Sequence, residues 1–445
     1  MKELLYPKEP VRVALIGAGN RSRKIYRPLF KSLGPWVEIV AVCDPVREHA
    51  DFMSEALNVR AYYNIHDLVK DRIAEAAIVV TPIESHHSIS VFLSSNGIHN
   101  LVETTWCSTI IQAKQMIEAA RKNNVVVRVA ENFFRFPIDR FAQTLRDSGY
   151  IGKIKRIFTY NDHTGFHNNS RWIAFAGKHP VWLQSIEHTM KTKSFYFTPE
   201  RYYQNETFRL RIFGFEDNFM VIDQAANIKG FLGRQVRPGF TEWHGESGTL
   251  VQRGIDSTTA AASYYMGGRA VLHRPGKHSD WEAEVRFCSK DDVPKDADPL
   301  TVDYSAGYAD YVSGVVREYD TNRRWARIYA ETPKGVIEYV NPFRPSELSD
   351  NYYPEYGSCV MEHIVDFALA VRNLAASEFD ENDALMSMMM EIGAQESSLN
   401  NGKRVYLPLE GEPESDSIVL QEIRKKYKVD PLDIEAMLQI CYPKP

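Results

Sequence analysis

The stretch "VRVALIGAGNRSR", Val11 to Arg23, decides the fold. A short run of Val, Ile, Leu and Ala runs into two glycines spaced G-x-G, and small or polar residues lead on into a helical pattern. Gly17 permits a tight bend, Gly19 lets the backbone approach a pyrophosphate, and Ser22 stands where helix and strand pack closely. A helix starting there presents unpaired N–H groups to an anion, with Asn20 and Arg21 beside it. A plain turn of small residues has the same pattern, so the neighbouring segments must decide.

They repeat the alternation. "VEIVAVCDP", "AAIVVTP", "HNLVET" and "NVVVRVAEN" are strand-like and separated by helix-length segments, which predicts a doubly wound parallel sheet with right-handed crossovers. Asp44 closes the second strand, where a carboxylate accepts from a ribose hydroxyl and repels a 2'-phosphate, favouring NAD over NADP. The alternatives are an ordinary turn residue before Pro45 and a phosphate contact from Arg47. Pro137 marks a domain edge, because proline disrupts continuing regular structure.

Beyond Ile151 the pattern changes. "KIKRIFTYNDH", "TFRLRIFGF", "GTLVQRG", "AEVRFCSK" and "RIYAETPKGVIEYV" alternate in part and have few helices between them, which predicts a mostly antiparallel sheet. Two helices, around "CVMEHIVDFALAVRNL" and "DALMSMMMEIGAQESSLNNG", are expected to close that domain. The methionine run reads as core filling, and Asn401 with Gly402 as a C-cap. Two short amphipathic helices follow Pro408. The expected order is a dinucleotide-binding domain over 1–137, a substrate-binding α/β domain over 138–410 and a helical extension over 411–445.

Composition narrows the partners. The 445 residues carry 53 Lys and Arg against 58 Asp and Glu, so there is no broad basic face for nucleic acid. The five cysteines lie far apart without a C-x-x-C pair, which points away from a disulfide framework or a zinc site and toward reduced thiols in a cytoplasm. No apolar run of 18 or more residues is present, and the first residues lack a signal-peptide core.

In this order, "IGAGNRS", "AVCDP", "VVTPIESHH", "AENFFRFP" and "ALMSMMMEIGAQESSLNNGKRV" resemble the Gfo/Idh/MocA-type oxidoreductases, over most of Val11 to Pro408. The resemblance implies an N-terminal Rossmann domain, a C-terminal α/β domain with a large open antiparallel sheet, NAD as cofactor, a sugar or cyclitol carbinol as substrate, and a homo-oligomer. It also implies that Thr81, Pro82 and His86 run along the nicotinamide half of the cofactor in a loop after a strand.

Two departures matter. Such proteins carry a Glu-Lys-Pro triplet whose lysine assists proton transfer, but here the aligned residues are Glu103, Thr104 and Thr105. They also place an Asp and a His four apart on a substrate-domain helix, but "PVWLQSIEHTM" offers Gln184 and His188. Neither Thr104 nor Gln184 is a base near neutral pH, whereas His188 can be one.

A second set of groups stands in "YNDHTGFHNNSRW", read as a polar and aromatic loop. Tyr160, His163 and His167 join His188 as acid/base candidates, and Arg171, Trp172, Arg135 and Gln184 are candidates for holding a sugar's hydroxyls or carboxylate. Each residue has a bland reading too, as packing or a solvated loop. A zinc bound by His163 and His167 is rejected, because Gly165 between them argues for loop and no H-E-x-x-H motif follows.

Three functions fit these residues. The first is an NAD-dependent sugar dehydrogenase with a rebuilt acid/base set. The second, also implied by the resemblance, is a glycosidase that retains NAD and cleaves by transient oxidation, elimination, hydration and re-reduction, possibly on an acidic sugar such as a sialoside. The third is a non-catalytic NAD-binding relative.

Overall fold

The computed structural model describes residues 4–160, 165–198, 201–226, 240–252, 276–287, 302–303, 310–347 and 354–442. They form two compact units, each discontinuous in sequence. One comprises Lys2–Asn132, Phe343–Ile392 and Glu410–Pro445; the other comprises Phe133–Pro342 and Gly393–Leu409.

The first unit holds the expected parallel sheet. Its strands are β1 (Val11–Ile16), β2 (Val37–Cys43), β3 (Arg60–Tyr62), β4 (Ala76–Val79), β5 (His99–Val102) and β6 (Val127–Val129), in the order β3-β2-β1-β4-β5-β6. All neighbouring strands run parallel. A sheet of this kind is buried on both faces, so its strands read as continuous apolar runs: Ala76–Val79 is wholly buried. Crossover helices follow the strands: α1 (Arg27–Leu33), α2 (Arg47–Leu57), α3 (Ile65–Asp71), α4 (Ile83–Ser95) and α5 (Ile110–Lys122).

The two helices expected to close the second domain are only partly there. Residues 343–392, which include Pro354–Val371, belong to the first unit, as does the helical tail from Glu410. The helix Pro354–Val371 buries Cys359, Val360, Ile364, Val365, Phe367 and Ala368, an apolar surface too wide for a helix with one solvated side. The methionines behave as read: Met386, Met388, Met389 and Met390 are buried core residues.

The second unit contains α6 (Pro137–Ser148), β7 (Ile154–Tyr160), α7 (Gly165–Ala176) and a large sheet. The strands that follow are β8 (Trp182–Thr198), β9 (Arg201–Gly214), β10 (Met220–Ala226), β11 (Phe240–Gly245), β12 (Gly248–Gln252), β13 (Gly276–Phe287), β14 (Val302–Asp303), β15 (Asp310–Tyr319), β16 (Trp325–Thr332), β17 (Gly335–Val340) and β18 (Val405–Tyr406). Among the described residues the sheet is twelve-stranded, in the order β17-β16-β15-β13-β12-β11-β7-β10-β9-β8-β18, with β14 paired to β15. It is antiparallel except where β7 meets β10.

Helix α7 is pinned to this sheet by buried charge. Arg211 and Asp223 face each other across β9 and β10, both fully buried, with Nη2 2.5 Å from Oδ2. The same carboxylate accepts from the Trp172 indole at 3.1 Å and the Asn168 amide at 3.3 Å, while Arg211 donates to the Asn169 side chain and the Gly165 carbonyl, each at 2.9 Å. Removing one partner of such a pair strands the other charge in the core. Asp223→Ala is therefore expected to cost about 3–5 kcal/mol in urea unfolding; a loss below ~1 kcal/mol, the range of a surface pair, would contradict this role for the network.

Candidate functional site

The carboxyl edge of the parallel sheet gathers four loops by continuing the strand ladder. Val80 N–H donates to Ile16 O at 2.7 Å, Glu103 N–H to Val79 O at 2.9 Å, and Ala130 N–H to Val102 O at 2.8 Å. Gly17, Thr81, Glu103 and Glu131 thereby stand near one edge, where ligands of open α/β sheets bind.

The first turn depends on its glycines differently. Gly17 has φ +91°, and a Cβ there would stand 2.3 Å from the Val80 carbonyl oxygen. A Cβ on Gly19 would meet nothing within 4 Å, so the protein's own packing does not require that glycine; the opening suits a ligand that approaches the backbone. Ser22 is fully buried and its hydroxyl donates to Gly17 O at 2.5 Å, so it ties the helix start to the turn in place of a third glycine.

Asp44 sits at the end of β2 and is buried. Its Oδ2 accepts from Ala18 N–H at 2.7 Å and its Oδ1 from Val46 N–H at 2.9 Å. The carboxylate therefore shapes the glycine turn, and each oxygen retains a lone pair for a ribose hydroxyl. Arg47 lies over the Tyr63 ring, 4.0 Å from its centroid.

His86 is not in a loop. Thr81 and Pro82 precede α4, and His86 is buried in that helix's first turns with Nε2 2.8 Å from Thr81 O and Nδ1 3.1 Å from Thr105 O. Burial pushes its pKa down, so the ring is neutral and donates to one of these carbonyls while packing against the other. The reason for the difference is local: Ile83 onward forms helix directly after Pro82, and the histidine falls on its covered side.

The Glu103 carboxylate organises the second loop. Its Oε1 accepts from Arg21 Nε at 2.6 Å and from the Tyr26 hydroxyl at 2.7 Å, while Oε2 accepts from Thr104 N–H at 2.9 Å. Burial opposes its ionisation, yet the Arg21 guanidinium and these donors hold its pKa below the usual carboxylate range. Arg21 is raised and also lies over the Tyr356 ring, 5.4 Å from its centroid. Burial pushes the Tyr26 and Tyr356 hydroxyls up, so both stay protonated. Sequence reading missed Tyr26 and Tyr356: some 330 positions separate them, and no local spacing links either to Glu103.

In the second unit several expected residues have other work. The stretch read as a loop is helix α7 from Gly165 onward, because Asn168, Asn169 and Arg171 find buried partners on that helical face; His163 lies outside the described residues. Arg171 is buried and donates to Asp139 at 2.9 Å and to Asn168 at 3.1 Å, and Trp172 is fully buried on Asp223, so both brace the helix. Arg135 is buried with its guanidinium over the Phe134 ring, and Tyr160 stacks on Phe240. His167 is half-buried, its ring centroid 4.2 Å from that of Phe133.

"PVWLQSIEHTM" likewise forms strand instead of helix, in keeping with its β-branched and aromatic residues. Gln184 donates to Gly402 O at 3.0 Å. His188 falls on the same strand face as Ile186 and is exposed. Among the described residues, no helix is long and apolar enough to cross a membrane.

Residues 11–131 match the family model of oxidoreductases with an NAD-binding Rossmann fold, GFO_IDH_MocA. The chain is 28% identical to inositol 2-dehydrogenase of Salmonella typhimurium over 148 residues, 32% of this chain and 43% of that protein. It is 29% identical to D-glucoside 3-dehydrogenase of Escherichia coli over 150 residues, 33% of this chain and 41% of that protein. The matches thus span less than half the length of these curated relatives. A structure of levoglucosan dehydrogenase with NADH and levoglucosan aligns with TM-score 0.59 at 14% identity, covering 90% of this chain and all of that one, a likeness that establishes the fold alone.

The lowered pKa of Glu103 has a defined consequence for stability. A depressed carboxylate contributes stability that is present above its unfolded value, about 4.3, and is lost as pH falls through the folded value. Glu103→Gln is expected to be less stable than the parent at pH 7 and to lose less stability between pH 5 and 3, read from urea midpoints; parallel pH profiles would count against the assignment.

Proposed function

We propose that this chain binds NAD at the carboxyl edge of the parallel sheet and oxidises or reduces a carbinol of a sugar or cyclitol. The observation that carries the reading is the glycine turn braced by Asp44: a bend whose Gly19 is open to a ligand, within a segment matching an NAD-binding family. The relatives named for inositol and a glucoside support the substrate class.

Gly17, Gly19 and Asn20 would line the pyrophosphate, with Ser22 holding the turn beneath them, Asp44 would meet the adenosine ribose, and Thr81, Pro82, Glu103 and Thr104 the nicotinamide half. The bound nicotinamide supplies a hydride acceptor or donor. Arg21 is a permanent cation held by the Glu103 carboxylate, and it cannot take a proton. Glu103 already accepts from four donors and is a poor base. The carbinol proton needs another acceptor, and of the histidine candidates half-buried His167 suits a general base better than exposed His188.

The first test is the nucleotide. Denaturing the dialysed protein and measuring released NAD and NADH, then titrating NAD by calorimetry, is expected to show NAD binding in preference to NADP. Asp44→Ala should weaken NAD at least tenfold and narrow that preference, with Asp44→Asn intermediate. Failure of the parent to hold or bind either nucleotide would overturn the reading. Close to one retained nucleotide per chain would favour the NAD-retaining glycosidase over a dehydrogenase with exchangeable cofactor.

His167→Ala should lower turnover of a sugar by about a hundredfold or more, and His188→Ala by only a few fold. The reverse order in single-turnover kinetics would return the proton to His188.

A further inference from the structure

The segment from Glu410 onward ends in two helices, Glu414–Tyr427 and Ile434–Leu438, and belongs to the same compact unit as the parallel sheet. Its polar contacts converge on the starts of α4 and α5. The Asp416 carboxylate is buried, and its Oδ2 accepts from Ile110 N–H at 2.7 Å and Ile111 N–H at 3.3 Å. Thr109 accepts from Gln112 N–H, so Asp416 satisfies donors that the local cap leaves over. A carboxylate here also opposes the positive end of the helix dipole.

At α4 the N-cap is Pro82, which provides no side-chain acceptor, and Glu84 lies in the first turn. Lys426 Nζ donates to Glu84 at 2.9 Å and the Tyr427 hydroxyl donates at 3.3 Å. Tyr427 packs edge-on against Tyr442, 5.2 Å between centroids, and Glu435 pairs with His66 of α3 at 2.9 Å. The tail thus grips three crossover helices, two of them at the ends that emerge from the loops carrying Thr81, Pro82, Glu103 and Thr104.

Those loops are coupled to each other and to the helices. The His86 ring lies between the carbonyls of Thr81 and Thr105 and donates to one of them, and His87 Nε2 lies 2.7 Å from Gln115 Oε1, which links α4 to α5. A shift of either helix start therefore moves both loops. Asp416 is the dominant anchor, being buried and charge-assisted, whereas the Lys426–Glu84 pair is more exposed and weaker.

We propose that the C-terminal tail is a clasp that sets the nicotinamide-side loops, with Asp416 and Lys426 as positioning residues for nucleotide binding. The assignment rests on the NAD-binding reading above. It makes the tail part of the nucleotide site without any tail residue having to touch the nucleotide.

The test uses the full chain with Asp416→Ala/Lys426→Ala, the conservative Asp416→Asn, and Arg424→Ala as a control that removes only the tail's internal pair with Asp430. Hydrogen exchange without nucleotide and calorimetric NAD titration are measured on each. The double variant is expected to exchange faster at residues 83–86 and 110–113 and to bind NAD at least tenfold more weakly, with unchanged circular dichroism. Asp416→Asn, which keeps an acceptor oxygen, should recover most of the affinity, and Arg424→Ala should match the parent.

NAD affinity within twofold of the parent in the double variant overturns the clasp, whether or not exchange rises. Equal weakening by Asp416→Ala and Asp416→Asn with parental exchange also overturns it, since a cap would be rescued. A parent that binds no NAD overturns the functional reading first and the clasp with it. If the double variant fails to fold, Asp416→Ala and Lys426→Ala made singly carry the same comparison.

Discussion

The Glu103 carboxylate cannot be buried at the end of β5 unless something compensates its charge, and the nucleotide edge of the parallel sheet is arranged around that need. Arg21 comes from the glycine turn, Tyr26 from the turn of helix after it, and the loop's own Thr104 N–H completes the set. An ion pair without its charge-assisted hydrogen bonds would not repay desolvation at such a position. The pair also links the first and fifth strands' loops across the strand between them. A single electrostatic requirement thereby aligns the segments expected to meet both halves of a dinucleotide.

The same principle recurs in the second unit with a different result. Arg211 and Asp223 are more deeply buried, and their remaining hydrogen-bonding capacity goes to α7. Arg171 is held by Asp139 in the same manner. A dense polar stretch such as residues 160–172 suggests ligand contacts, but density alone does not separate groups that meet a ligand from groups that meet each other. Among the described acid/base candidates of that stretch, Tyr160 and His167 are both half-buried.

Thr104 stands where the resemblance implies a lysine, and that bears on the chemistry the edge can do. A lysine can carry a proton and a charge; Arg21 supplies the charge only. Separating these two functions is compatible with hydride transfer provided that the proton goes elsewhere. It also makes the electrostatic environment of the edge nearly independent of pH above the Glu103 range.

Much of this molecule was legible in its residues. The doubly wound sheet, the bend at Gly17, the methionine core and the second, mostly antiparallel sheet follow from apolar periodicity and from backbone angles that only glycine adopts easily, all local properties of the chain. The partners of buried charge are not local. That Arg171 braces a helix, that His86 is buried between two carbonyls, that Tyr26 bonds Glu103 and Arg21 lies over Tyr356, and that Asp416 caps a helix begun some 300 residues earlier were decided by tertiary structure. A buried polar group takes whichever complementary group the fold delivers, and neither spacing nor composition records which one that is.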